Sequence, residues 1–382
     1  MPRLLYLAEP RLCTEIGFRS LESLLKRSEE DVTLRPNVII VNGNLSAGPF
    51  VTDTKEEVAR KEAETFASIK EDLKAYREQA RTTISDDTNY GLSLYNLCKQ
   101  IVDSRGSCAL FGVNRSTLLE IAKIYIKGVE ESNRRMRTTY ERLQNILEKS
   151  GRPFFVLHGN LDNLSYELPS GKPSSVAGVF GSTVLLHNPE TSPNFDSPVG
   201  SVVGSGGAYD NLTPVETPDE FVSHIGERVY REVKAGVENI GTLWSEPGRI
   251  FGRAKADIVV SYMPPLEHLD YGSAPSIGLT RYLDSACREG NAPKLCLCAQ
   301  GALDKRNIGI SRFDRGVYVL NPGSFGVPNT ESMGTFAVID FSEKGDYPRR
   351  AMIYSFDQSD SSVKKRTEFR LTSSGPVIKN FD

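Results

Sequence analysis

Short runs punctuate the chain at 4–7, 38–41, 154–157, 258–260, Leu295–Cys298 and 317–320, each apolar or β-branched and bounded by Gly, Pro or Asn. Runs of this length without polar alternation suit strands covered on both faces. Helical spacing of apolar positions fills stretches between them, at 15–27, 217–241 and Ile277–Glu289. Strands alternating with helices predict an α/β fold. A last strand is expected at 335–341. The Ser-, Asp-, Lys- and Arg-rich stretch after Asp357 reads as an exposed, partly mobile terminus.

A different period governs the segment between the second and third runs. From Ser116 to Lys149, the positions Leu118, Ala122, Tyr125, Val129, Asn133, Met136, Tyr140, Leu143 and Leu147 recur three or four residues apart, close to the seam of a coiled coil. A helix of this length extends about 50 Å. Ser116 suits its N-cap, and Gly151 and Pro153 its stop. Ala59, Phe66, Ile69, Leu73, Tyr76 and Ala80 repeat the pattern, and a shorter helix is expected near 92–102. Together they predict an antiparallel helical hairpin, inserted as residues 52–150 into a domain made of 1–51 and 151–345, with 346–382 as a C-terminal extension. The seam exceeds what one helix can bury, so the insertion is expected to meet a protein partner or a second copy. Arg134, Arg135, Arg137 and Arg142 on its outer face read first as a solvated face and second as a nucleic-acid surface.

Composition narrows the classes. The 382 residues can bury a sizeable core, and 39% hydrophobic with 25% charged residues is ordinary for a globular protein. A net charge of −3 gives no global field toward nucleic acid or acidic membranes. No apolar run reaches the ~20 residues of a membrane span, and the first residues are strand-like rather than a signal peptide. The 6 cysteines form no C-x-x-C pair, and Cys296 and Cys298 share one strand face. They read as reduced, buried thiols of an intracellular protein, cytoplasmic or nuclear. The glycine-rich stretch 198–207 lacks the Lys-Ser/Thr of a phosphate loop and reads as a surface loop or hairpin.

The chemistry-bearing segments follow the strand-like runs. They are Leu-Ala-Glu-Pro-Arg (7–11), Asn-Gly-Asn-Leu (42–45), His-Gly-Asn-Leu-Asp (158–162), Ser-Tyr-Met-Pro-Pro (261–265) and Cys-Ala-Gln-Gly-Ala (298–302), closed by Asn321-Pro-Gly-Ser324. In order and framing they resemble the calcineurin-like metallophosphoesterases, whose segments read Asp-x-His, Gly-Asp, Gly-Asn-His-Asp/Glu, a His before Pro-Pro, and Gly-His-x-His. The likeness covers about 1–50 and 151–345 and does not touch the helical insertion. It implies a four-layer α/β/β/α sandwich with an inserted long helical hairpin and a cleft at the strand C-termini.

The resemblance also implies two cations about 3.5–4 Å apart, held by carboxylates, imidazoles and an amide oxygen. Here most of those ligands are replaced. Glu9 stands for the first Asp and Arg11 for a His, and a guanidinium stays charged and cannot ligate a metal. Asn44 stands for the bridging Asp, and a neutral amide cannot balance two dications. Asn160 and Asp162 are retained, but Leu161 takes the place of the proton-donating His. His158, on the strand side, reads as satisfied by backbone. Tyr262 replaces the His before Pro-Pro, and Gln300 and Ala302 replace the last two.

The expectation is a catalytically inactive member that binds or scaffolds, through the insertion or through a cleft lined by Glu9, Arg11, Asn44, Asn160, Asp162, Tyr262 and Gln300. No metal or cofactor is expected. The competing expectation is a metal-dependent phosphoesterase with a remodelled site. In it, Glu9, Asn160 and Asp162, aided by Asn42, Asn44, Gln300 and Asp304, hold one manganese or magnesium ion and Arg11 contacts a phosphate.

Overall fold

Residue parity explains why the apolar runs are unbroken. In β1 (Arg3–Ala8), Leu4, Tyr6 and Ala8 face one cluster of buried side chains while Leu5 and Leu7 face another. Successive strand residues point to opposite faces, so a strand covered on both sides has no position to spare for a polar residue. The computed structural model describes residues 1–12, 15–46, 99, 102–103, 115–159, 162, 176–185, 195–206, 256–271, 275–300, 305–313, 316–326, 333–344, 347–357, 359–372 and 374–381.

All six expected runs form strands. In the first sheet β1 lies parallel to β2 (Val38–Gly43), and β2 to β3 (Phe154–His158). On the other side of β1, β10 (Met333–Phe341), β11 (Pro348–Asp357), β12 (Ser362–Thr372) and β13 (Gly375–Asn380) follow as an antiparallel meander. The second sheet has β4 (Phe195–Ser197), β5 (Gly200–Ser205), β6 (Ile258–Ser261), β7 (Leu295–Cys298), β8 (Gly309–Arg312) and β9 (Tyr318–Asn321), in the order β4-β5-β6-β7-β9-β8. The chain is thus α/β, with two mixed sheets.

One apolar cluster joins the sheets, bringing Tyr6 and Ile40 of the first together with Val260, Leu297 and Leu320 of the second. On the outer face of the first sheet, Leu5, Leu7, Ile39 and Val41 meet Leu21 and Leu24 of α1 (Glu15–Glu30) and Tyr140, Leu143 and Leu147 of α2 (Arg115–Lys149). The short α3 (Val176–Phe180) adds Val176 and Phe180 there. On the outer face of the second sheet, Val259, Cys296 and Val319 meet Leu279 and Leu283 of α4 (Ile277–Glu289).

The C-terminal turns of α2 therefore belong to the core as the crossover between parallel β2 and β3. The helix ends where the sequence places its stop: Gly151 turns to φ 64°, and its N–H reaches the Glu148 carbonyl at 3.0 Å. The stretches 56–80 and 217–241, and most of 92–102, lie outside the described residues.

The terminus after Asp357 departs from its expectation. Instead of a mobile tail it supplies β12 and β13, with Phe369 and Leu371 buried between the sheets. Within it, buried Glu368 accepts from Lys365 at 3.0 Å and lies 3.8 Å from Arg350 of β11. The glycine-rich stretch does form a hairpin, β4–β5. Its second strand then pairs parallel to β6, with Val202 and Val203 fully buried.

Candidate functional site: the strand C-termini

The C-terminal ends of β1 and β2 meet those of β6 and β7. Tyr6, facing inward from β1, donates its hydroxyl to the Cys298 carbonyl at 2.9 Å and accepts from Asn42 Nδ2 at 2.8 Å. Asn42 Nδ2 also donates to the Ser261 carbonyl at 2.8 Å. A phenol on an inward strand position needs such a partner, and this chain of bonds ties the two sheets together at their strand ends.

Past the end of β1 the backbone takes two uncommon turns. Glu9 and Arg11 both have positive φ, 48° and 39°, a costly region for residues with a Cβ. The pairing with the second segment holds them there: the N–H groups of Glu9, Arg11 and Leu12 donate to the carbonyls of Asn42, Asn44 and Leu45 at 2.8, 2.8 and 2.9 Å. The closing segment clasps the other side, with Ser324 Oγ and the Gly326 N–H on the Glu9 carbonyl at 3.0 and 3.1 Å. Gly326 is obligatory by packing, because an added Cβ would overlap the Pro10 carbonyl oxygen.

These turns aim Glu9 inward, leaving it 2% exposed. Its carboxylate accepts from Arg11 Nε at 2.6 Å and from Asn44 Nδ2 at 3.1 and 3.2 Å, and it also takes the Tyr262 hydroxyl. Tyr262 Oη in turn accepts from Asn44 Nδ2 at 3.2 Å. Burial pushes the Glu9 carboxyl above its usual range, against the pull of Arg11, Asn44 and Tyr262. Burial, followed by the Glu9 charge, raises the Tyr262 phenol well above its usual value, so it stays a donor. Gly159 closes the floor, since a Cβ there would strike the Asn44 side chain.

Asp162 is placed differently. It is buried, and its carboxylate accepts from the backbone N–H groups of Leu45 (2.8 Å), Gly159 (2.9 Å) and Ser46 (3.2 Å) and from the Tyr140 hydroxyl of α2 (3.0 Å). It thereby fixes the second and third segments to each other and both to the helix. Burial raises its pKa to about 6 despite those donors.

Of the residues singled out in the sequence, Glu9, Arg11, Asn44 and Tyr262 thus form one hydrogen-bonded cluster. Gln300 joins by its backbone, with its N–H on the Tyr262 carbonyl at 2.8 Å and its own carbonyl taking Asn321 Nδ2 at 3.1 Å. Asn160, Ala302 and Asp304 lie outside the described residues. His158 is buried at the end of β3, with Gly206 pressed against its ring. Sequence reasoning gave no role to Tyr6 or Ser324 and counted Tyr140 only as a seam residue. The signal for Tyr6 was a phenol amid an aliphatic run.

On the helix, Arg142 makes a paired contact with Glu15 of α1 (2.6 and 2.8 Å) and lies over the Phe18 ring, while Arg137 Nε donates to Glu141 at 2.7 Å. Two of the four arginines are therefore committed to carboxylates of the chain itself. No helix among the described residues is long and apolar enough to cross a membrane.

No family model matches the chain, and no curated protein does. Among solved structures, one crystal structure matches 97% of this chain and 100% of its own, at 13% identity and a TM-score of 0.43. That likeness is distant, and the functional reading rests on the residues instead.

Proposed function

We propose that the chain is a metallophosphoesterase-like protein that binds rather than catalyses, a scaffold or partner-binding subunit whose cleft carries its own charge balance in place of metal ions. The observation that carries this reading is the buried Glu9 carboxylate, engaged by a guanidinium at 2.6 Å, an amide and a phenol. A dinuclear centre does not fit that donor set. Arg11 puts a fixed positive charge where a cation would approach, Asn44 turns its N–H rather than its oxygen to Glu9, and Asp162 spends both oxygens on backbone amides and Tyr140.

Two mixed sheets sharing one apolar interior, with helices against the outer faces, support the four-layer α/β/β/α form of this fold. The partner is a protein or a second copy, met by the cleft or by the helical insertion. Buried Cys296 and Cys298, not joined in a disulfide, suit an intracellular setting, where thiols stay reduced.

The test is metal content by mass spectrometry after soaking the full chain in excess manganese and desalting. Less than about a tenth of an equivalent supports the reading. About one equivalent, lost in Asn160→Ala, overturns it in favour of a mononuclear site that warrants phosphodiester assays.

A further inference from the structure

The two sheets end on β3, β13, β4 and β8, and the outer edges of three of these are short or occupied. β4 and β8 span 3 and 4 residues, and Val156 of β3 is bridged by Val184. β13, with 6 residues, is the exception. The Phe381 N–H reaches the Arg366 carbonyl at 2.8 Å, so in this register Lys379 and Val377 exchange bonds with β12. Pro376, Ile378 and Asn380 therefore turn their backbone groups to the open side, where a proline is tolerated because no N–H has to reach β12. Val377 and Ile378 are each 57% exposed. An edge with unpaired N–H and C=O groups is a template for a further strand.

Charge selects the strand that fits. On the outer face of the first sheet, opposite charges alternate from strand to strand. Arg3 of β1 and Arg350 of β11 donate to Asp340 of β10 at 2.6 and 3.0 Å, Glu368 of β12 lies 3.8 Å from Arg350, and Lys379 of β13 stands opposite Glu368. The series ends on a cation beside the open edge, where an acid continues it. Between Ser362 and Phe381, Lys364, Lys365, Arg366, Arg370 and Lys379 stand against a single acid, Glu368, in a chain of net charge −3. A second copy fits poorly, because it would set two such basic faces edge to edge and each Pro376 would withhold a donor. We propose that β13 is a docking edge for an extended acidic segment of a protein partner, which adds antiparallel to the first sheet. The segment exchanges bonds with Ile378 and Asn380 and gives one N–H to the Pro376 carbonyl. Its side chains run acid, apolar, apolar, opposite Lys379, Ile378 and Val377 in turn. The proposal does not draw on the metal-free reading above.

The test is titration of the full chain into a fluorescent peptide, Thr-Gln-Thr-Glu-Ile-Val-Thr-Gln-Thr with blocked ends, followed by anisotropy, with a second peptide carrying Lys in place of Glu. Saturable binding of the Glu peptide is expected, with the Lys peptide weaker by about tenfold. Hydrogen exchange read by amide NMR should slow at Ile378 and Asn380 by about tenfold or more on saturation, whereas Val377 and Lys379, already bonded to β12, should change little. Lys379→Gln is expected to cut the preference for Glu over Lys about fivefold. Ile378→Pro removes an outward donor and spares the bonds to β12, so it should abolish binding and keep a cooperative thermal transition. The proposal is overturned by no saturable binding of the Glu peptide, by equal affinity for the two peptides, by unslowed exchange at Ile378 and Asn380, or by binding that persists in folded Ile378→Pro. A concentration-dependent dimer that slows the same two amides overturns it in favour of a second copy, and an oligothymidylate that binds this face where the peptide does not overturns it in favour of nucleic acid.

Discussion

Asp162→Asn tests how the cleft is held together. The wild-type carboxylate is buried and surrounded by four donors, the N–H groups of Leu45, Ser46 and Gly159 and the Tyr140 hydroxyl. Burial outweighs them and raises its pKa from an ordinary 3.8 to about 6. Between those two values the folded chain holds a proton that the unfolded chain has released. The group therefore favours folding most below the unfolded value, and its contribution is lost as pH rises through the folded one. A gap of about two pH units corresponds to about 3 kcal/mol. Asparagine keeps an oxygen for the backbone amides and removes the titration.

The raw stability curve hides this effect, because other carboxylates act in the opposite sense. Glu15 and Glu29 are held low by hydrogen bonds from Arg142 and Arg152, so they add stability above their unfolded values and lose it in acid. Subtracting the variant from the wild type cancels them. Urea unfolding followed by far-ultraviolet circular dichroism, run from about pH 4 to about pH 7.5, should show the wild type losing about 2–3 kcal/mol relative to Asp162→Asn across that range. A difference that stays flat would refute the reasoning, because it would mean that the four donors compensate the carboxylate fully for its burial.

Two further outcomes follow from burial elsewhere. Cys296, whose pKa burial raises to about 12, and Cys298, whose thiol burial also pushes well above its usual value, should resist a thiol-specific disulfide reagent in the native state and react on unfolding. Native-state labelling of either would contradict the placement of β7. Phe369→Ala should cost about 3–5 kcal/mol in urea unfolding, as a core aromatic does, whereas a residue in a mobile tail would change stability by less than about 0.5 kcal/mol.

The parts of this fold that were legible in the sequence are those where burial on both faces leaves an unbroken apolar run. β1, β2, β3, β6, β7 and β9 announced themselves in that way, and α4 did so by its spacing. β12 was not legible, because of its residues only Glu368, Phe369 and Leu371 are buried. Lys364, Lys365 and Arg366 give it the look of a solvated tail, and the buried partner Glu368 is visible only once the strand pairs with β11. The role of α2 was half legible. Its period marks a helix, but period alone does not distinguish a seam that meets another helix from one that lies on a sheet, as Tyr140, Leu143 and Leu147 do. At the site, the residue types at Glu9, Arg11 and Asn44 could be read, but not their mutual contacts. Those depend on two positive-φ turns that no pattern of side chains reports.

The way the strand ends are built also bears on how the chemistry there can change while the backbone stays. Their shape is made largely by backbone: three N–H groups after β1 pair with carbonyls of the second segment, the closing segment caps Glu9, and Gly159 and Gly326 permit approaches that a Cβ would block. Side chains at 9, 11 and 44 can therefore be exchanged without moving the strand ends, provided that the buried charge is balanced. A carboxylate buried with no cation would be costly by several kcal/mol. Arg11 supplies that cation within the chain, two residues from Glu9 and at 2.6 Å from its oxygen. On the proposed reading, the exchange removes the need for an external ion and leaves the remaining donors of the same guanidinium to face whatever enters the cleft.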